Sequence, residues 1–256
     1  MDVSFTGSAG ELVGWLAKPQ HPVYDHAGAI IVTGFPSDEG GGANSFKTFP
    51  SLADRVASDA RLTVLSLALR GTGGSDGNFS LLGWRDDLSR GIRYLRQEHQ
   101  VGPVWLLGFG TGGALVLDAA YRDSHIAGVV TFAAPADFSD WANKPRELLS
   151  HARRCGAITD PAFPPNNNQW AKELQQVSAV KAAEGIGATT PLLVMHGTAD
   201  DAVPSFDAFS IADAHGAAEL RLVDGAKHHL RHDPRALAVS IGWLERRGNP
   251  AMTHER

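Results

Sequence analysis

The sequence predicts an α/β fold built on a mostly parallel, doubly wound sheet. Three observations carry this reading: four runs that are nearly continuous in apolar or small residues, helical patterns lying between them, and a steady strand–helix alternation along 256 residues. The apolar runs are Gly28 to Val32, Leu62 to Leu69, Val104 to Leu107 and Ile126 to Ala133. A strand with apolar side chains on both faces is buried on both, as in a parallel sheet covered by helices. The alternation implies right-handed crossovers that bring successive strands back parallel.

The elements before and after these runs complete the picture. Ser4 to Thr6 and Leu12 to Ala17 are short alternating stretches around Gly7 and Gly10, which predicts an antiparallel hairpin at a sheet edge. Trp84, Leu88, Ile92 and Leu95 recur every three or four residues, with Arg85, Asp86, Arg93 and Arg96 off that stripe, so this segment reads as an amphipathic helix. Further strands fit Pro191 to Met195 and Glu219 to Val223, followed by a helix from Arg235 to about Leu244. Residues 137–187 break the rhythm. They hold two helix-like pieces, Arg146 to Cys155 and Gln169 to Glu184, separated by a turn-rich run from Asp160 to Asn168, and read as a helical cap inserted in a core of residues 1–136 and 188–248. Residues 249–256 read as a disordered tail.

Composition narrows the function classes. A chain with 43% hydrophobic residues can bury one substantial core, and a formal charge of −5 without any basic run argues against nucleic acid or an anionic membrane as partner. Residues 1–7 lack a basic region followed by an apolar stretch, and no stretch is apolar for long enough to span a bilayer, so the expectation is a soluble cytoplasmic protein. Cys155 is the only cysteine, which excludes an internal disulfide and a thiolate cluster. His228, His229 and His232 with Asp233 offer no matching ligand set elsewhere, so neither metal nor cofactor is expected.

Five motifs then fall in order along the chain. Gly108-Phe109-Gly110-Thr111-Gly112 has the Gly-x-Ser-x-Gly pattern of a nucleophile elbow, between a strand and a helix, with Gly110 where the serine belongs. Thr33-Gly34-Phe35-Pro36 is similar to an oxyanion turn, Thr33 replacing its histidine, and Arg70-Gly71-Thr72-Gly73-Gly74-Ser75 to an RGxGxS-type loop. His196-Gly197-Thr198-Ala199-Asp200-Asp201-Ala202-Val203-Pro204 matches an HGxxDxxVP segment, and Gly225-Ala226-Lys227-His228 a GAxH turn. Together they resemble the α/β-hydrolase superfamily, in particular small bacterial-type esterases and peptidase-like hydrolases.

That resemblance implies an eight-stranded, mostly parallel sheet with helices on both faces and a small cap. It implies Asp200 as the acid, rather than Asp201, and His228 as the histidine, rather than His229. Phe35 and Thr111 become the oxyanion donors, and Gly34, Trp141, Phe163 and Trp170 the pocket, although aromatic residues of a small subdomain serve equally well as its core. The implied partner is a small carbonyl substrate or ligand; an oligomeric state is not readable.

The chemistry explains why these residue types belong together. A hydroxyl is a poor nucleophile at neutral pH until an imidazole takes its proton, and a carboxylate on the other ring nitrogen holds the tautomer and stabilises the cation. The developing oxyanion needs two backbone N–H donors. Gly110 removes only the hydroxyl, which leaves three readings. The protein has lost catalysis and binds a ligand or partner through a retained pocket; or His228 and Asp200 activate a water, or abstract a substrate proton, directly; or another hydroxyl such as Thr111 acts, unless glycine has replaced a serine in this chain. A rival from another class is dinucleotide binding through Gly108, Gly110 and Gly113, but the following strand lacks the acidic end that would hold a ribose, and the pattern sits mid-chain.

Overall fold

A computed structural model describes residues 1–20, 27–37 and 40–248; the expected disordered tail lies outside the described residues. Eight strands form one sheet: β1 (Asp2–Thr6), β2 (Glu11–Ala17), β3 (Gly28–Val32), β4 (Thr63–Leu67), β5 (Val104–Phe109), β6 (Ile126–Phe132), β7 (Leu192–Gly197) and β8 (Glu219–Val223). Their order is β1-β2-β4-β3-β5-β6-β7-β8. β1, β2 and β4 pair antiparallel, and every other neighbouring pair is parallel. All residues of β3 and β5 are buried, as their unbroken apolar sequences require.

The described residues form ten α-helices: α1 (Gly41–Asn44), α2 (Phe49–Ala60), α3 (Leu81–Glu98), α4 (Thr111–Arg122), α5 (Ser139–Asn143), α6 (Pro145–Arg154), α7 (Asn167–Glu173), α8 (Ala179–Ile186), α9 (Ser205–His215) and α10 (Pro234–Gly248). One core cluster packs α2 and α10 against the sheet, with Phe49, Trp105 and Trp243 inside it. The opposite cluster gathers α3, α4, α8 and α9. On α3 the predicted stripe is the buried face, and Ser80 caps the helix by accepting the Gly83 N–H at 2.9 Å.

The sequence reading needs one correction between β6 and β7. The helix expected from Gln169 to Glu184 is two helices, because Ser178 is extended (φ −139, ψ 119), bridges Asp137 and caps a fresh start by accepting the Lys181 N–H. Periodicity alone runs through such a break, since an apolar stripe does not record which serine turns its side chain back to the main chain. The second of these helices, α8, packs between α4 and α9 in the layer that covers the sheet.

The strand order reverses between β3 and β5, whose carboxyl ends open a crevice of the kind in which open α/β sheets bind ligands. The loops leaving these two strands are the segments 33–36 and 110–113. They meet closely: a Cβ on Gly34 would stand 2.9 Å from the Phe109 carbonyl oxygen, so only glycine fits there.

Candidate active site

Gly110 is the hinge between β5 and α4, with φ 51 and ψ −123. Its N–H donates to the Phe132 carbonyl at 2.8 Å, and its own carbonyl accepts the Gly113 N–H at 2.8 Å, so the turn is held from both sides. A Cβ built on Gly110 would lie 3.4 Å from His228 Nε2, 3.7 Å from His228 Cε1 and 3.8 Å from Gly34 Cα. These are ordinary contact distances, so the position faces the imidazole and has room for a small side chain. Gly108 and Gly112 are explained by packing: a side chain on the first would collide with the start of α4, and one on the second with the main chain at Thr33.

His228 follows β8 on the loop before α10. Its Nδ1 lies 2.9 Å from Asp200 Oδ2, and a carboxylate only accepts, so Nδ1 carries the proton and Nε2 presents its lone pair toward Gly110. The Asp200 side chain is fully buried, while that of His228 is 25% exposed. Asp200 sits after β7, where Oδ1 accepts the N–H groups of Ala202 and Val203, each at 2.9 Å. Burial works to raise its pKa, but hydrogen bonds from His196, His228 and these two N–H groups outweigh that and hold the carboxyl well below its ordinary 3.8.

His196, at the end of β7, is the residue whose part the sequence reading missed. It is completely buried; its Nε2 lies 3.0 Å from the Val203 carbonyl and 3.3 Å from Asp200 Oδ2, so the Nε2 proton faces both. Nδ1 is buried without a partner among the described residues. The signal was present as the first residue of the HGxxDxxVP segment, four positions before Asp200, but a histidine at a strand end does not by itself indicate where its ring points.

Two cavities meet at Gly110. The larger, about 710 Å³, lies beneath α5 and α6, with Phe35, Phe138 and Trp141 among its walls and Thr111 at its floor. The smaller, about 220 Å³, is bordered by Thr33, Gly34, Asn44, Ser45 and Arg231. Phe35, Gly110 and His228 line both. Among the described residues, no acceptor is found for the N–H of Phe35 or that of Thr111.

Of the expected pocket residues, Gly34 and Trp141 therefore border a cavity, and Phe163 and Trp170 border neither. Trp170 is 3% exposed, packs edge-on against Phe79, and donates its indole N–H to the Phe79 carbonyl at 3.2 Å, so it belongs to the core. Phe163 is a partly buried residue packed against the same cluster. Asp201 is exposed and has no part in the Asp200 network. Burial raises the Cys155 thiol pKa, which suits an inert core residue. Among the described residues no group of three His, Cys, Asp or Glu side chains converges to hold a metal, and no helix is long and apolar enough to cross a membrane.

The RGxGxS-type loop has a structural explanation. Arg70 forks onto the fully buried Asp87 of α3 through Nε at 2.9 Å and Nη2 at 2.6 Å, while Ser75 donates to the Ala68 carbonyl and accepts the Val13 N–H. The loop therefore ties β2, β4 and α3 together.

A family model described as the alpha/beta hydrolase fold matches residues 30–175. The chain belongs to that family. Among solved structures, this chain is similar to Est1E from Butyrivibrio proteoclasticus with ferulic acid bound: 17% identity, 95% of this chain and 96% of that one covered, TM-score 0.73. It is also similar to XC6422 from Xanthomonas campestris, described as an a/b serine hydrolase without lid, at 20% identity, 96% and 92% coverage and TM-score 0.64. An alpha-beta serine hydrolase homologue from Coxiella burnetii gives 16% identity, 96% coverage of both chains and TM-score 0.62. At such identities the likeness establishes the fold. No curated protein matches the sequence. Family membership and packing account for the Gly108-x-Gly110-x-x-Gly113 spacing without a dinucleotide, since a side chain on Gly108 would collide with the start of α4 and a Cβ on Gly113 would stand 2.6 Å from the Ala134 Cβ.

Proposed function

We propose that this alpha/beta hydrolase cleaves a small ester or amide carbonyl using water activated by the His228–Asp200 dyad. The observation that carries the reading is the direction of the imidazole: with Nδ1–H bound to Asp200, its basic Nε2 faces the site of the missing hydroxyl at Gly110. A water hydrogen-bonded to Nε2 there gives its proton to the ring as its oxygen attacks the carbonyl carbon. The negative charge that develops on the carbonyl oxygen is met by the N–H groups of Phe35 and Thr111. The imidazolium then returns the proton to the leaving oxygen or nitrogen, and Asp200 stabilises the cation meanwhile without taking the proton itself. The aromatic walls of the larger cavity suit a planar or apolar acyl group, in keeping with ferulic acid in the Est1E structure.

The cap in this reading is the part of the 137–187 insertion that overhangs the cavity, α5 and α6, since α8 serves the core layer. A second reading, a pseudohydrolase that binds a ligand without turning it over, is favoured by one observation: Gly110 has a positive φ that glycine adopts freely, and a turn lacking its hydroxyl needs no catalytic reason to persist. The two separate on one comparison. Release of chromophore from short- and medium-chain aryl esters is measured for the native chain and His228→Ala; hydrolysis requires the native rate to exceed that of the variant. Equal rates across esters, amides and a broad metabolite panel, with ligand binding retained, establish the second reading.

A further inference from the structure

We infer that His151 of α6 is a positioning residue for the turn at Phe35 and Pro36, locked by Arg154 in the tautomer that carries its proton on Nε2; its bearing on catalysis rests on the proposed oxyanion role of Phe35. Arg154 Nη2 lies 3.2 Å from His151 Nδ1. A guanidinium has N–H donors and no lone pair to offer, so Nδ1 must accept and the ring proton is on the other nitrogen. That nitrogen lies 3.1 Å from the Pro36 carbonyl oxygen, to which it therefore donates. The Phe35 ring lies tilted against the same imidazole, with centroids 5.7 Å apart. One side chain from the cap thus holds the carbonyl of Pro36 and the ring of its neighbour. Among the described residues, no other hydrogen bond reaches the Phe35–Pro36 segment.

The support is itself anchored. Just after α6 the Cys155 carbonyl accepts the Gly42 N–H at 2.8 Å, and the Ala157 carbonyl accepts the Phe79 N–H at 2.8 Å. The chain carrying His151 is therefore fastened to α1 and to the loop before α3, and its bond to Pro36 transmits that fixed position to the turn. A backbone donor aimed at a developing oxyanion must be in place beforehand to be effective, and among the described residues Phe35 has no hydrogen bond of its own to orient it. His151 and Arg154 also line the larger cavity, but the role inferred for His151 is exerted through its bond to Pro36.

The native chain, labelled with ¹⁵N-histidine, should show His151 protonated on Nε2 alone, and Arg154→Ala should give a mixture of tautomers. His151→Phe keeps a ring and removes the donor, whereas His151→Gln places an amide N–H near the same point. The Phe35 amide resonance should move in His151→Phe and return toward its native position in His151→Gln. With Gly110→Ser as background and p-nitrophenyl butyrate as probe, the Phe variant should lose about tenfold in kcat at little-changed KM, less than the roughly hundredfold that deleting an oxyanion donor costs, and the Gln variant should recover most of it. An Nδ1–H tautomer, an unmoved Phe35 amide in His151→Phe, or Phe and Gln variants equally impaired would overturn the inference. A Gly110→Ser protein that is folded but inert would remove the hydrolase reading instead, and the tautomer and the Phe35 amide would still decide whether His151 holds the turn.

Discussion

Installing a serine at position 110 tests the site more directly than any deletion. A Cβ there lies 3.4 Å from His228 Nε2, and the hydroxyl is one bond beyond it, within hydrogen-bonding reach of the lone pair that Asp200 directs toward it. The substitution has a structural cost. With φ 51 and ψ −123, a non-glycine residue stores roughly 1–3 kcal/mol of backbone strain. For a chain of this size each kcal/mol lowers Tm by about 2–4 °C, so Gly110→Ser should melt roughly 2–12 °C below the parent. The gain is far larger. Losing a serine nucleophile costs about a millionfold in kcat where the rest of a triad is intact, and about a thousandfold over water survives through oxyanion donors and binding. Gly110→Ser should therefore hydrolyse p-nitrophenyl esters about 10³–10⁶ times faster than the parent, and a fluorophosphonate should label it and not the parent. A variant that melts within the stated window yet is neither labelled nor active would refute the reasoning, because the hydroxyl would then be present without a base to activate it. Labelling of the parent would reveal another nucleophile.

Further predictions test the surroundings. Because the folded-state pKa of Asp200 lies below its ordinary 3.8, the carboxylate contributes stability that is complete above that value and is lost as pH falls through the folded pKa; Asp200→Asn should flatten the acid limb of a urea-monitored stability profile below about pH 4, and an unchanged limb would count against the buried hydrogen-bond network. Asp87→Ala leaves the largely buried Arg70 guanidinium without its forked partner and should cost about 3 kcal/mol in chemical denaturation; a loss under 1 kcal/mol would show that the loop holds itself. Trp141→Ala and Trp170→Phe should separate pocket from core. The first should raise KM for aromatic esters of the Gly110→Ser protein with little change in Tm. The second removes a buried hydrogen bond, which should cost about 1 kcal/mol of stability and leave KM alone.

How much of this could be read in advance depended on how local the signal is. The strands at 28–32, 104–109 and 126–132 declared themselves because two-sided burial writes an unbroken apolar run, and α3 because one-sided burial writes a stripe. Asp200 and His228, which the structure brings within 2.9 Å, stood out because each sits on a short turn whose glycines and proline mark it. The split between α7 and α8 was not, since it turns on a Ser178 cap and a bridge to Asp137, a residue 41 positions away, taking 178 minus 137. Trp141 and Trp170 look alike in sequence, and only packing makes one a cavity wall and the other core.

By itself the sequence determined the α/β alternation, the order of elbow, acid and histidine, and the absence of a hydroxyl at position 110, all of which are properties of residues near one another along the chain. Tertiary structure decided what no local pattern encodes: that His228 turns its Nε2 to Gly110, that Asp200 is buried between two histidines, and that α6 reaches across 115 positions to hold the turn at Pro36. The physical reason is directional. Burial and helix formation are set by side-chain type and spacing, whereas a hydrogen bond exists only when two groups from distant parts of the chain arrive at the right distance and angle, and the packing of the whole sheet sets that arrival.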